Sequence, residues 1–200
     1  MSLNPLLEEL KKLRESSKYA VAQGTHSNLN GFKKYLHVER DVERKLKNII
    51  VKASENDKAQ LLLVCGNVGD GKSHILSHLH DDLADKISAF TIHNDATESH
   101  NPNESSNITL YKLLTGFKDE NIESSKDKII LAINLGTLSK FIEEYSDEFK
   151  ALQGYISAAK ILDTDLIHDD DFEAQSHFHH VNFTDYHMYS LTQQGPISQI

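Results

Sequence analysis

The chain has 200 residues, 38% of them hydrophobic and 26% charged, which suits one compact domain with a sizeable core. A formal net charge of -9 gives no overall attraction for a polyphosphate backbone, so a nucleic acid would have to meet a local patch or a partner subunit. The single cysteine, Cys65, excludes an intrachain disulfide framework, and no apolar run approaches the roughly 20 residues of a membrane helix. Residues 1–8 lack the basic-then-apolar order of a signal peptide, and the expectation is a soluble, cytoplasmic protein.

In chain order, Asn4-Pro5 starts a first helix, with Asn as cap, Pro in the first turn, and Leu6, Leu7, Leu10 and Leu13 at helical spacing. Gly24, Ser27, Asn28, Asn30 and Gly31 then mark an irregular stretch. Residues 1–34 thus read as a helix and lead-in, and residues 35–200 as the main domain. Val38, Val42, Leu46, Ile49 and Ile50 predict an amphipathic helix beginning near Glu39. Residues 61–65 form a short, wholly apolar run, the pattern of a strand buried on both faces. Ile75, Leu76, Leu79, Leu83 and Ile87 mark the next helix, and residues 89–92 a second strand ending at His93-Asn94-Asp95. Ile108, Tyr111, Leu114 and Phe117 suggest another helix, and residues 129–133 a third strand ending at Asn134. Leu138, Phe141, Ile142, Tyr145 and Phe149 line one helix after it. Residues 163–173 read as an acidic loop, and Val181 starts a fourth strand. This alternation predicts an α/β fold with a doubly wound, mainly parallel sheet and flanking helices. The chain stops at Gly195-Pro196-Ile197 where another helix is due, so the domain is expected to be incomplete at the C-terminus and the front part of a longer protein.

Between the first strand and its helix lies Gly66-Asn67-Val68-Gly69-Asp70-Gly71-Lys72-Ser73, a full match to the Walker A pattern in its required context. Glycines permit backbone angles that turn N–H groups inward around a β-phosphate. The helix beginning at Lys72 offers unpaired N–H groups and the positive end of its dipole. Lys72 can place its charge on the β- and γ-phosphates, and Ser73 can give its hydroxyl to Mg²⁺. His74, next in sequence, is a candidate neighbour of the nucleotide. The predicted ligand is ATP with Mg²⁺, since the chain has no Asn/Thr-Lys-x-Asp guanine motif.

Hydrolysis also needs a held metal ion and an oriented water. A Walker B strand normally ends in Asp, often followed by Glu, whereas the strand over 129–133 ends in Asn134-Leu135. Asn134 can order a metal-bound water but cannot offset the metal's charge. Asp95 is the candidate replacement carboxylate, although an Asn-Asp pair also favours turns. Asn182 and Asp185 are candidate γ-phosphate sensors or plain loop polars. Val38-Glu39-Arg40-Asp41-Val42-Glu43 resembles the adenine-side helix of AAA-type ATPases and equally suits a solvated helix. Only Arg14, Arg40 and Arg44 are available as arginines, so a finger reaching a neighbour's nucleotide is hard to place. Of twelve histidines, His74 and His78 share a helix face and His177, His179 and His180 lie near His187, yet no HExxH or Cys/His ligand set occurs. The rest are expected on the surface or in packing.

The segment Leu62 to His74 resembles the P-loop of the DptF family, ATPase-like subunits of a bacterial DNA phosphorothioation-dependent restriction system. Asn94-Asp95-Ala96-Thr97-Glu98-Ser99, Ala132-Ile133-Asn134-Leu135-Gly136 and Val181-Asn182-Phe183-Thr184-Asp185-Tyr186-His187 are similar to that family too. The resemblance implies an AAA-like P-loop NTPase with DptG- and DptH-like partner subunits, DNA met through the complex, and Asn134 as a family trait. Family members are longer than 200 residues. Two other functions fit the residues: a nucleotide-binding interaction module without hydrolysis, and, against the scarcity of arginine, a small-molecule kinase.

Overall fold

In the computed structural model the described residues are 37–94, 106–163 and 172–186, with backbone alone for 189–192 and 195–198. The predicted first helix, Asp95, His187 and most of the acidic segment lie outside them. Four strands form one all-parallel sheet: β1 (Gln60–Cys65), β2 (Thr91–His93), β3 (Lys128–Ile133) and β4 (Phe178–Asn182). Their order is β2-β3-β1-β4. β1 pairs with β3 on one side, Cys65 opposite Ile133, and with β4 on the other, Cys65 opposite Asn182.

Alternation along the central strands feeds two separate cores. Leu61, Leu63, Cys65, Ile129, Leu131 and Ile133 face one way, toward α4 (Ser106–Leu113), α5 (Leu135–Tyr145) and α6 (Lys150–Ala158). Leu62, Val64, Ile130 and Ala132 face the other, toward α1 (Asp41–Ser54), α2 (Lys72–Asp82) and α3 (Ala84–Ile87). With both faces covered, continuous apolar strands are required, and β1 is buried at every position. The α/β class, the parallel sheet and the flanking helices therefore stand as expected, in a form compatible with a doubly wound fold.

Several boundaries differ from expectation. The helix after the glycine loop ends at Asp82, and α3 begins afresh at Ala84. The apolar stripe from Leu138 to Phe149 is two helices. Asp119 caps the second, its carboxylate accepting from the N–H groups of Lys150 and Ala151, both at 2.9 Å. β4 starts at Phe178, three residues before Val181. Where a further helix was expected, β5 (Tyr189–Thr192) and β6 (Gly195–Ser198) pair antiparallel. Pro196 is tolerated there because both strands of a two-stranded ribbon are edges.

Among the described residues, no helix is long and apolar enough to cross a membrane.

Candidate functional site

All four strands of the sheet run the same way, so their carboxyl ends share one edge. Along it lie Gly66 after β1, Asn94 after β2, Asn134 after β3 and Asn182 at the end of β4. The chain leaves β1 toward β2 and β3 on one side and later crosses to β4 on the other. β1 therefore ends at a topological switch point, where open α/β sheets form their ligand crevice.

The glycine loop occupies that point. Gly69 and Gly71 hold φ of 93° and 85°, a region that side chains disfavour. At Gly66 a close approach matters as much as its φ of 150°. A Cβ there would lie 2.9 Å from Cβ of Phe183 and 2.7 Å from an oxygen of Asp70. Asn67, Val68 and Gly69 are exposed, and Val68 keeps 94% of its surface. Gly71 is the N-cap of α2, and no side chain among the described residues caps that helix or puts an acid in its first turn. The helix start is thus left open to an anion.

Lys72 Nζ donates to the Asn67 carbonyl at 2.6 Å, and the Asp70 carboxylate accepts from the Asn67 N–H. Arg40, just ahead of α1, ties the loop to its surroundings. It donates to the Asp70 carbonyl at 2.9 Å and the Tyr186 carbonyl at 3.3 Å, with its guanidinium 5.7 Å from the Phe183 ring centre. Arg40 therefore braces the loop from beneath. That is a specific job for a residue the sequence left between an adenine contact and a solvated helix.

Ser73 Oγ donates to Asn94 Oδ1 at 3.0 Å. Asn94 closes β2, yet its amide spans β3's end to reach the one hydroxyl a Walker A metal would use. Sequence reasoning passed over Asn94 in favour of its neighbour Asp95, which lies outside the described residues. The available signal was position: Asn94 is the last residue before the chain leaves the strand edge.

Asn134 sits on the same edge, next to Gly66, but its Oδ1 accepts from the Thr137 N–H at 2.8 Å and caps α5. Asn182 does the same for the short turn after β4, accepting from the Thr184 N–H at 3.2 Å. Both amides thus have structural work. Cys65, at the end of β1, is fully buried. Burial pushes its thiol up to about 12, making it a packing group and not a nucleophile at neutral pH.

His74 is drawn into a cluster behind the loop, its Nε2 3.1 Å from His37 Nδ1. His179 and His180 are buried strand residues. His179 Nε2 lies 2.9 Å from Gln60 Oε1, and burial lowers its pKa to about 4, so it is neutral and donates that bond. His180 Nδ1 lies 2.9 Å from the Tyr155 hydroxyl. These two are packing histidines, as expected.

A second concavity, about 410 Å³ and wide open, is lined by Lys52, Asn56, Lys58, Phe172 and Gln175. It lies at the amino ends of β1 and β4, away from the glycine loop. Comparison of the chain with family models, with curated proteins and with solved structures gives no match.

Proposed function

We propose that this protein binds ATP with Mg²⁺ at the loop from Gly66 to Ser73. The observation that carries this reading is an uncapped helix start behind a glycine loop at the switch point of a parallel sheet, with Lys72 and Ser73 in its first turn. The backbone N–H groups and Lys72 would hold the β- and γ-phosphates. Ser73 and Asn94, already paired through oxygen, are the groups that would hold Mg²⁺, a hard ion that takes oxygen donors. Lys72 Nζ already reaches back over the loop to the Asn67 carbonyl, so its charge lies at the loop that would hold the phosphates.

On the resemblance to the DptF family, we propose that the nucleotide serves a DNA restriction complex with DptG- and DptH-like subunits in the cytoplasm. A second reading is an interaction module that binds nucleotide without turnover. It is favoured by neutral asparagines at the strand ends, Asn94, Asn134 and Asn182, two of them engaged as caps. Phosphate release from ATP separates the two. The ATPase reading expects turnover by the full chain that is abolished in Lys72→Ala. Tight Mg-ATP binding with no release, alone or with the partner subunits and unmodified DNA, leaves only the module.

A further inference from the structure

Behind the glycine loop, three donor groups from the lead-in, α1 and α2 converge. His37 Nε2 lies 3.1 Å from Glu43 Oε2, and His78 Nδ1 lies 2.9 Å from Glu43 Oε1. The two imidazoles stack face to face, with centroids 3.7 Å apart and planes 10° apart. One ligand atom from each residue lies within 4.8 Å of the others. Glu43 is in the first turn of α1 and its side chain keeps only 4% of its surface. His37 keeps 10% and His78, on α2, 26%.

These close approaches are not hydrogen bonds. His37 Nε2, Glu43 Oε2 and His78 Nδ1 are buried and have no partner at hydrogen-bond geometry. A plain ion pair would point an N–H at a carboxylate oxygen, and burying such atoms unsatisfied is costly. A metal ion drawn in among these atoms would satisfy all three, the stacked rings turning so that the nitrogen lone pairs, which lie in the ring planes, meet at one point. Around a tetrahedral zinc with bonds of 2.0–2.1 Å, ligand atoms sit roughly 3.3 Å apart, close to the separations found here.

We propose that His37, Glu43 and His78 bind a divalent transition-metal ion of the zinc class, which pins the start of α1 to the P-loop helix. Two imidazoles and one carboxylate select zinc-like ions over Mg²⁺ or Ca²⁺, which prefer all-oxygen shells. With Nε2 of His37 on the metal, its Nδ1–H faces His74 Nε2 at 3.1 Å. A ligating histidine commonly donates its second ring N–H in this way, which fixes the tautomer and orients the ring. His74 directly follows Ser73, so the ion would stiffen the first turn of the helix that carries the phosphate loop. Three protein ligands leave a fourth position for water. This inference stands apart from nucleotide binding and is tested without nucleotide.

The full chain, stripped with chelator, is titrated with Zn²⁺ against a chromophoric competitor and with Co²⁺ by visible absorption. The expected result is one tight equivalent of Zn²⁺ and the intense visible bands of four-coordinate Co²⁺. Glu43→Gln and His78→Gln should each weaken binding by about 100-fold or more, and His74→Phe by about 10- to 100-fold. His80→Gln, on the same helix but outside the cluster, should change nothing. Thermal melts identify any variant that fails to fold, and then the wild-type Co²⁺ spectrum decides. Absence of a tight equivalent, a weak six-coordinate Co²⁺ spectrum, or affinity unchanged in folded Glu43→Gln and His78→Gln overturns the proposal.

Discussion

On the α4–α6 side of the sheet the core is knit by Phe117, Phe141, Phe149 and Phe178, with Phe141 and Phe149 edge to face at 5.2 Å. On the α1–α3 side, Glu43, Gln60, Ser77 and His179 are buried, against Lys118 and His180 on the aromatic side. The first face is filled by shape and area. The second gives up apolar area to polar groups: Glu43 meets the histidine cluster, Ser77 donates to the Ser73 carbonyl, and Gln60 and His179 pair with each other at the amino ends of β1 and β4. Buried polar groups cost stability unless satisfied, and of these four only Glu43 and Ser77 place that cost behind the glycine loop.

This contrast can be broken from either side. The largest effect is expected on the aromatic face. Phe141→Ala should cost about 3–5 kcal/mol in urea unfolding, the usual range for emptying a buried aromatic site. At temperatures where the variant stays folded, Mg-ATP affinity should not move. A loss of affinity in folded protein would show that the two faces are energetically coupled.

The polar face makes a pH prediction. His179 is held at about 4 by burial, against an ordinary 6.5. The unfolded chain takes up this proton as pH falls below 6.5, while the folded chain resists until about 4. Stability should therefore fall across that window, by on the order of 3 kcal/mol for this group, and its contribution should level off below it. Urea midpoints between pH 7 and pH 4 test this, with His179→Gln flattening the slope. An unchanged slope in the variant would remove His179 from the account.

The smallest effect separates structure from chemistry at the strand edge. Asn134→Ala should cost about 1 kcal/mol through loss of the α5 cap, and Asn134→Asp should be close to neutral because Asp caps equally well. If Asn134→Asp also raises phosphate release, the missing carboxylate limits turnover. If it leaves release unchanged, Asn134 serves only as a cap.

Much of this was legible in the residues. β1 and β3 are continuous apolar runs bounded by polar residues, and each matched within one residue. The glycine loop announced itself through spacing. What was not legible depended on partners distant in sequence. The break between α5 and α6 is set by Asp119, some 31 residues from the N–H group of Lys150 that it caps. β4 looked polar at His179 and His180 because their partners, Gln60 and Tyr155, come from other elements. The cluster of His37, Glu43 and His78 is invisible to local motif spacing for the same reason: it joins the lead-in, α1 and α2. Asn94 does not stand out in the sequence because the carboxylate beside it, Asp95, is the more usual metal partner.

The central claim concerns the loop, and equilibrium binding of Mg-ATP to wild type and Lys72→Ala tests it most directly. The account predicts one site per chain in the wild type. It predicts a loss of about 10- to 100-fold in the variant, equivalent to the 1.5–3 kcal/mol of a hydrogen bond to a charged group. Folded wild-type protein that does not bind Mg-ATP, or a variant that binds it equally well, would contradict it.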